Sequence, residues 1–228
     1  MASLNQLTSE IAHSIGQPNN HAVRENIKSS IIHTRNELIR HSYTQHGYSD
    51  RVLNYRYKVS LVDIKDGDVE LPDNLNILIE NIKRTEQKVP RPVRLTNNLP
   101  FMRISSVGYK TNTEFPFVKE TSARFTSALP GMGGLPCYDY INDYVYLFNL
   151  KGKFIDLNKM IIEAPFENPS LVEKLNGDAG EFSELYGDDN EWFLPEDMVG
   201  QIKDILLKRE NLQQIRETNE VDGYHQTK

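Results

Sequence analysis

The sequence predicts an α+β protein: a helical bundle of N-terminal helices and a long C-terminal helix, carrying a β-sheet insertion of sandwich or meander type. Three observations predict it. Apolar residues recur at spacings of three and four up to about residue 46, the period falls to two from about residue 55, and helical spacing returns after Pro195. The expected division is therefore 1–46 plus 194–216 for the bundle, 55–165 for the β-rich insertion, 166–193 for an acidic loop and 217–228 for a polar tail. A chain of 228 residues is long enough for one large domain or two small ones with a core each.

In the first helix Leu4, Leu7, Ile11 and Ile15 form one stripe, which Gly16-Gln17-Pro18-Asn19-Asn20 interrupts. Asn20 is placed to cap a second helix. Its stripe runs through Val23, Ile27, Ile31 and Leu38, with Ile32 and Ile39 widening it, and fades at His46-Gly47. Two such stripes bury each other most simply in an antiparallel hairpin.

The next segment, YRYKVSLVDI, alternates Tyr57, Val59 and Leu61 with polar neighbours and predicts a strand, with a turn at 66–68. LNILIENIKR (75–84) reads as a strand from its β-branched content and flanking prolines. VPRPVRL (89–95) has to be extended, because proline fixes its own φ and disfavours helix in its predecessor. FMRISSVGY (101–109) is a further short strand. Residues 110–136 lack periodicity and end in LPGMGGLP, a mobile loop by composition. CYDYINDYVYLFNLKGKFIDL (137–157) carries the strongest β signal. Asn142-Asp143 and Lys151-Gly152 are two-residue turn signals that predict a three-stranded meander, and IIEAPFENP closes the β region. After the acidic stretch, Pro195 stands at a first helical position with Glu196 and Asp197 behind it. Met198, Ile202, Ile205, Leu206, Leu212 and Ile215 then give the buried face of a helix of about 21 residues, roughly 30 Å long.

Composition excludes several classes. The single cysteine, Cys137, rules out an internal disulfide framework, and no apolar run approaches the roughly 18–20 residues of a membrane span. MASLNQLTSEIAHSIG has neither the basic nor the apolar region of a secretory leader, so none is expected. The net charge of -6 is unevenly distributed. Residues 1–58 hold 7 basic and 4 acidic side chains, residues 59–160 hold 13 and 12, and residues 161–228 hold 6 and 16. The acidic excess sits in the last third, an end that repels nucleic acid and suits a basic protein surface.

Catalytic and metal-binding patterns are missing from the sequence. The six histidines form no HExxH or H-x3-H spacing, and Cys137 is far from all of them. Gly131-Met132-Gly133-Gly134 is followed by Leu135-Pro136, where a phosphate-binding loop would open a helix. Asp139, Asp143 and Asp156 would need a converging histidine to serve a hydrolase or nucleotide-modifying enzyme, the alternative functional reading. Lys83, Arg84, Lys88, Arg91 and Arg94 place five cations in twelve residues. They suit a phosphate contact or, more plainly, an edge strand guarded by charge and proline. Arg91 and Arg94 would equally pair with an acidic neighbouring copy. No cofactor and no metal is expected.

The order of segments carries more than any one motif. LNQLTSEIAHSIGQPNN, VRENIKSSIIHTRNELIRHS, VPRPVRL, LPFMRISSVGY, YVYLFNLKGKFIDL, APFENPS and EWFLPEDMVGQIKDILLKREN follow one another from residue 4 to about 212. In that order they resemble the virion structural proteins of crAss-like tailed bacteriophages, in particular head-to-tail connector (ring or adaptor) proteins. The resemblance implies a non-enzymatic subunit of the virion neck, assembled in the host cytoplasm as a twelve-membered homo-oligomeric ring. Such a ring would join the portal to other neck and tail rings and pass genomic DNA without reading its sequence. For a subunit of that kind, the interface residues expected here are Met198, Ile202, Ile205, Leu206 and Leu212 on the last helix, with Arg91 and Arg94.

Overall fold

Helix ends leave backbone N–H and C=O groups unsatisfied, and the way each is answered sets the boundaries of the helices here. In the computed structural model, residues 3–47, 53–64, 82–95, 99–107, 113–119, 122–123, 136–173, 188–189 and 194–209 are described. The chain divides into two compact units, Met1–Leu53 with Glu181–Lys228, and Asn54–Gly180.

In the first unit, α1 (Leu4–Ser14) begins at Ser3, whose Oγ accepts the N–H of Gln6 at 3.1 Å. The neighbouring orphan donor, the N–H of Asn5, is answered by the carbonyl of Asp188 at 2.9 Å, so a residue far along the chain completes the cap. Lys28 holds the same Asp188 through its carboxylate at 2.9 Å, which raises the lysine pKa above its ordinary value. Asn20 caps α2 (His21–His46), its Oδ1 accepting the N–H of Val23 at 3.4 Å. Gly47 ends that helix at φ 74°, a left-handed position that suits glycine, with its N–H on Tyr43 O at 2.8 Å. A further helix covers residues 196–209 and begins on the carbonyl of Pro195, which accepts from Met198 and Val199. Lys203 pairs with Glu10 of α1, and Arg209 with Glu37 of α2 at 3.2 Å, so this helix is tied to both others. Glu10 is held below its ordinary pKa, chiefly by the Lys203 hydrogen bond.

The second unit is a curled antiparallel sheet of six strands in the order β3-β6-β1-β2-β5-β4. The strands are β1 (Tyr55–Asp63), β2 (Lys83–Thr85), β3 (Arg103–Ser106), β4 (Cys137–Ile141), β5 (Tyr144–Phe148) and β6 (Lys159–Ala164). Along β1 the alternation of the sequence becomes an alternation of faces: Tyr55, Tyr57, Val59 and Leu61 are buried, while Arg56 and Lys58 are exposed. Met160, Ile162 and Ala164 of β6 lie in register with Val59, Tyr57 and Tyr55 and extend that buried layer. β4 and β5 form a hairpin whose turn residues Asn142 and Asp143 sit at φ 53° and 68°, both left-handed as a two-residue hairpin turn of this kind requires.

The two outer strands of the sheet are joined by one short segment. Phe115 N–H donates to Ile104 O at 2.9 Å and Ser106 N–H to Thr113 O at 3.0 Å, on the free side of β3. Three residues on, Val118 N–H donates to Tyr138 O at 2.9 Å and Tyr138 N–H to Pro116 O at 3.0 Å, on the free side of β4. Residues 113–118 thus act as a seam between the edges. The Phe115 ring is buried and meets Phe154 edge-on, with centroids 5.8 Å apart, and Phe117 meets Tyr138 at 5.5 Å.

Several expectations are corrected. The 137–157 meander has two strands rather than three: Asn149 and Gly152 both take φ 58°, which breaks the extended run, and Gly152–Phe154 form a 3-10 turn. IIEAPFENP does not merely close the β region, because its first residues belong to β6, which is hydrogen-bonded on both sides. The basic segment contains no sheet edge, since β2 lies between β1 and β5. Of LNILIENIKR, only residues 82–84 are described, with Lys83 and Arg84 in β2. The turn at 66–68, the Gly131–Gly134 run, Leu212, Ile215 and the tail 217–228 fall outside the described residues. Of the acidic stretch 166–193, residues 166–173 and 188–189 are described, including a single helical turn at Ser170–Glu173.

Removing the Phe115 ring tests the seam. Phe115→Ala is expected to cost about 3–5 kcal/mol in chemical denaturation. By loosening the cover over two sheet edges it should also raise the aggregation rate, read by light scattering.

Candidate functional site

The segment 88–95 is where sequence and packing converge most closely. Extended by its prolines, it lies against residues 165–167: Pro92 and Phe166 are antiparallel partners, Val93 N–H donates to Pro165 O at 2.8 Å, and Glu167 N–H donates to Arg91 O at 2.9 Å. Pro92 stands between the two hydrogen-bonded positions, so its missing N–H leaves nothing unanswered on this side. The two segments that read as separate signatures, P-R-P-V-R and A-P-F-E-N-P, are one structural element. Phe166 anchors it beneath β1, 5.4 Å from the Tyr57 ring and 6.5 Å from Tyr55. Burial pushes the Tyr57 hydroxyl well above its ordinary pKa, and that hydroxyl has no hydrogen-bond partner among the described residues.

On the other side of the same segment, Val89 N–H donates to Asp143 O at 2.7 Å. The Tyr140 hydroxyl lies 3.2 Å from both Val89 O and Asp143 Oδ1, and Arg91 Nε donates to that Asp143 oxygen at 3.2 Å. Burial, with the Asp143 charge added, raises the Tyr140 pKa, so the phenol stays a donor. The β4–β5 turn is thereby fastened to the proline segment. Arg91 itself is 71% exposed, so its ion pair is screened by water.

The five cations of 83–94 are not gathered on one face. Lys83 is buried with its Nζ 3.4 Å from Asp63, Arg84 stacks over the Tyr144 ring at 4.7 Å, and Lys88 lies 5.9 Å from the same ring. Arg91 takes Asp143, and Arg94 is exposed. This arrangement serves the sheet and its turn more evidently than it serves a phosphate backbone.

The helical stripe is also occupied within the subunit. Met198, Ile202 and Leu206 are 8%, 0% and 3% exposed, while Ile205 is half-buried and Leu212 lies outside the described residues. The outward face of that helix holds Glu196, Asp197, Gly200, Gln201 and Asp204, all exposed. The apolar stripe of the sequence is accompanied by this polar one at the same spacing of three and four. Arg56 and Lys58 are turned away from the buried face by the alternation of YRYKVS, and Lys159 at the start of β6 is exposed.

The carboxylates named as catalytic candidates do not converge. Asp139 is buried and accepts the N–H of Tyr140 at 2.7 Å, Asp143 is engaged by Arg91 and Tyr140, and Asp156 is exposed after the 3-10 turn. Residues 54–180 contain no histidine. Among the described residues no three His, Cys, Asp or Glu side chains are grouped to hold a metal ion, and no helix is long and apolar enough to cross a membrane.

Cys137 packs with Ala123, Tyr146 and Phe148, is 2% exposed, and is approached by Asn149 Nδ2 at 3.8 Å. Burial pushes its thiol up from the usual 9.0 to about 11. Because the folded pKa is raised, its contribution to stability is fully present below pH 9 and is lost as the pH climbs through about 11. At pH 8 the native thiol should resist iodoacetamide and react only after unfolding, which mass spectrometry of the alkylated protein reads directly.

Comparison with known proteins adds what the geometry alone does not. A search of curated proteins returns no match. A family model described as phage tail ring protein 2, of the crAss ring type, matches residues 6–223, which takes in both compact units and both paired proline segments. With a fold built on closed edges and buried side chains, and that match along nearly its whole length, the chain belongs to the crAss-like phage tail ring protein 2 family.

Proposed function

We propose that this protein is a non-enzymatic structural subunit of the virion neck. Copies form a closed homo-oligomeric ring, of twelve as the family resemblance implies, that joins the portal to the tail and surrounds the path of the exiting DNA. The observation that carries the reading is the family match over residues 6–223. The charge distribution supports it. The 16 acidic against 6 basic side chains of residues 161–228 would lower the affinity of a channel wall for passing DNA. The closed sheet supports it too, because a subunit that must pair only with chosen neighbours is best served by edges that cannot recruit strands at random.

In this reading α1, α2 and the 196–209 helix form a bundle with the β unit inserted into it, and assembly takes place in the host cytoplasm before the particle is completed. Portal and neighbouring rings are its partners. Arg91, Arg94, Ile205 and Leu212 remain as contact residues for those partners, whereas Met198, Ile202 and Leu206 serve the subunit's own core.

Negative-stain electron microscopy and native mass spectrometry of the purified chain, alone and mixed with its portal protein, test the proposal. Closed rings of twelve copies are expected, with assembly favoured on the portal. A chain that stays monomeric in every mixture, or that is located away from the neck in images of the intact particle, would overturn it.

A further inference from the structure

A closed ring built from one kind of subunit needs two different, mutually complementary surfaces on each copy. On the outward side of β1, β6 and β3, Ile161 and Ser105 are buried and exposed cations surround them. Arg56 and Lys58 of β1, Lys159 of β6 and Arg103 of β3 share that face by register, since Arg56 is opposite Glu163, Ser60 opposite Lys159, and Glu163 opposite Arg103. All four cations are exposed. Arg103 has Glu114 at 3.5 Å, but the side chains of Arg56, Lys58 and Lys159 make no hydrogen bond or ion pair among the described residues. Among the described cations, Lys28, Lys83, Arg91, Lys203 and Arg209 each have a carboxylate within 4 Å, whereas Lys119, Lys151 and Lys208 share the exposed, unpaired state of Arg56, Lys58 and Lys159.

The opposite charge is displayed on the 196–209 helix. Asp197, Gly200, Gln201 and Asp204 fall on one face at spacings of three and four, with Glu196 beside them, and the three carboxylates have no partner among the described residues. Asp197 and Asp204 stand about 10 Å apart along the helix, and the row from Arg56 to the level of Lys159 spans about 14 Å along the strand. The two charge rows are therefore of comparable length. Between the aspartates, Gly200 sits at an ordinary helical φ, and a Cβ built there meets no atom within 4 Å. Nothing in the subunit's own packing calls for a glycine at a mid-helix position where alanine is more stable. A second surface pressed against that face would call for one.

We propose that the exposed β1–β6 face of one copy (Arg56, Lys58, Lys159) docks on the acidic face of the 196–209 helix (Glu196, Asp197, Asp204) of a second copy, with Gly200 permitting close approach. The inference rests on the ring reading and gives that ring its head-to-tail contact.

Two variants test it: Arg56→Glu with Lys58→Glu, and Asp197→Lys with Asp204→Lys. Circular dichroism and thermal midpoints should match the wild type, since all four positions are exposed. Each variant alone should need roughly tenfold or more higher protein concentration to form rings, read by native mass spectrometry. An equimolar mixture should recover assembly, because alternating copies then present opposite charges at every junction, a rescue that a folding defect would not give. Gly200→Ala should raise the thermal midpoint by about 2–4 °C and weaken ring formation. Wild-type assembly by either charge variant, or a mixture that stays dissociated, overturns the contact while leaving the ring intact. The same holds if the sheet variant loses only retention on double-stranded DNA, which would assign the face to nucleic acid. Failure of the wild type to form a ring, with or without portal protein, overturns the ring reading and this contact with it.

Discussion

Everything in the β unit depends on how the two outer strands of its sheet satisfy their free backbone groups. An open six-stranded sheet would present two rows of N–H and C=O groups to the solvent and to other copies. Here residues 113–118 pair with β3 by their first half and with β4 by their second, the switch occurring at Pro116, whose missing N–H makes it the natural point to change partners. Phe115 and Phe117 then sit on either side of that switch and pack against Phe154 and Tyr138. Hydrogen bonding and aromatic burial thus act at the same place, and the curl of the sheet follows from both.

A second set of constraints works through proline. Pro90 and Pro92 force residues 88–95 into an extended path, and the backbone of 165–167 uses that path as its partner. The β4–β5 turn is fastened to the same path by Val89, Arg91 and Tyr140. The individual contacts are modest, and the exposed Arg91–Asp143 pair contributes little alone. Their joint effect is to hold a left-handed turn, an extended segment and the end of β6 in one arrangement, so that the charged outer face of β1 and β6 is displayed on a rigid base.

The helices were readable because their signals are local. Asn20, Gly47 and Pro195 each mark a boundary through a hydrogen bond made within a few residues. β1 and the Asn142-Asp143 turn were readable for the same reason. What escaped was set by distant partners. Residues 113–118 carry no alternation long enough to announce a strand, because they change partners midway. The third strand expected around FIDL fails at Asn149, whose left-handed φ has no signature beyond the tolerance of asparagine for it. β6 was hidden because MII reads as a continuous apolar run, as strands covered on both faces do. The stripe of Met198, Ile202 and Leu206 announces burial, which the structure shows, and leaves any contact with another chain unassigned.

The helical unit is made of two stretches of chain, Met1–Leu53 and Glu181–Lys228, with the whole β unit translated between them. α1 and α2 cap their own ends, but the Asn5 N–H depends on Asp188, and the carboxylates of Glu10 and Glu37 depend on Lys203 and Arg209. The β unit, contiguous in sequence, holds both halves of its own seam. The partners that complete the helical unit come from residues 188–209, the stretch that also carries the acidic face of the 196–209 helix. One stretch of sequence therefore does two things at once: it supplies the partners that finish α1 and α2, and it presents the acidic face of the 196–209 helix.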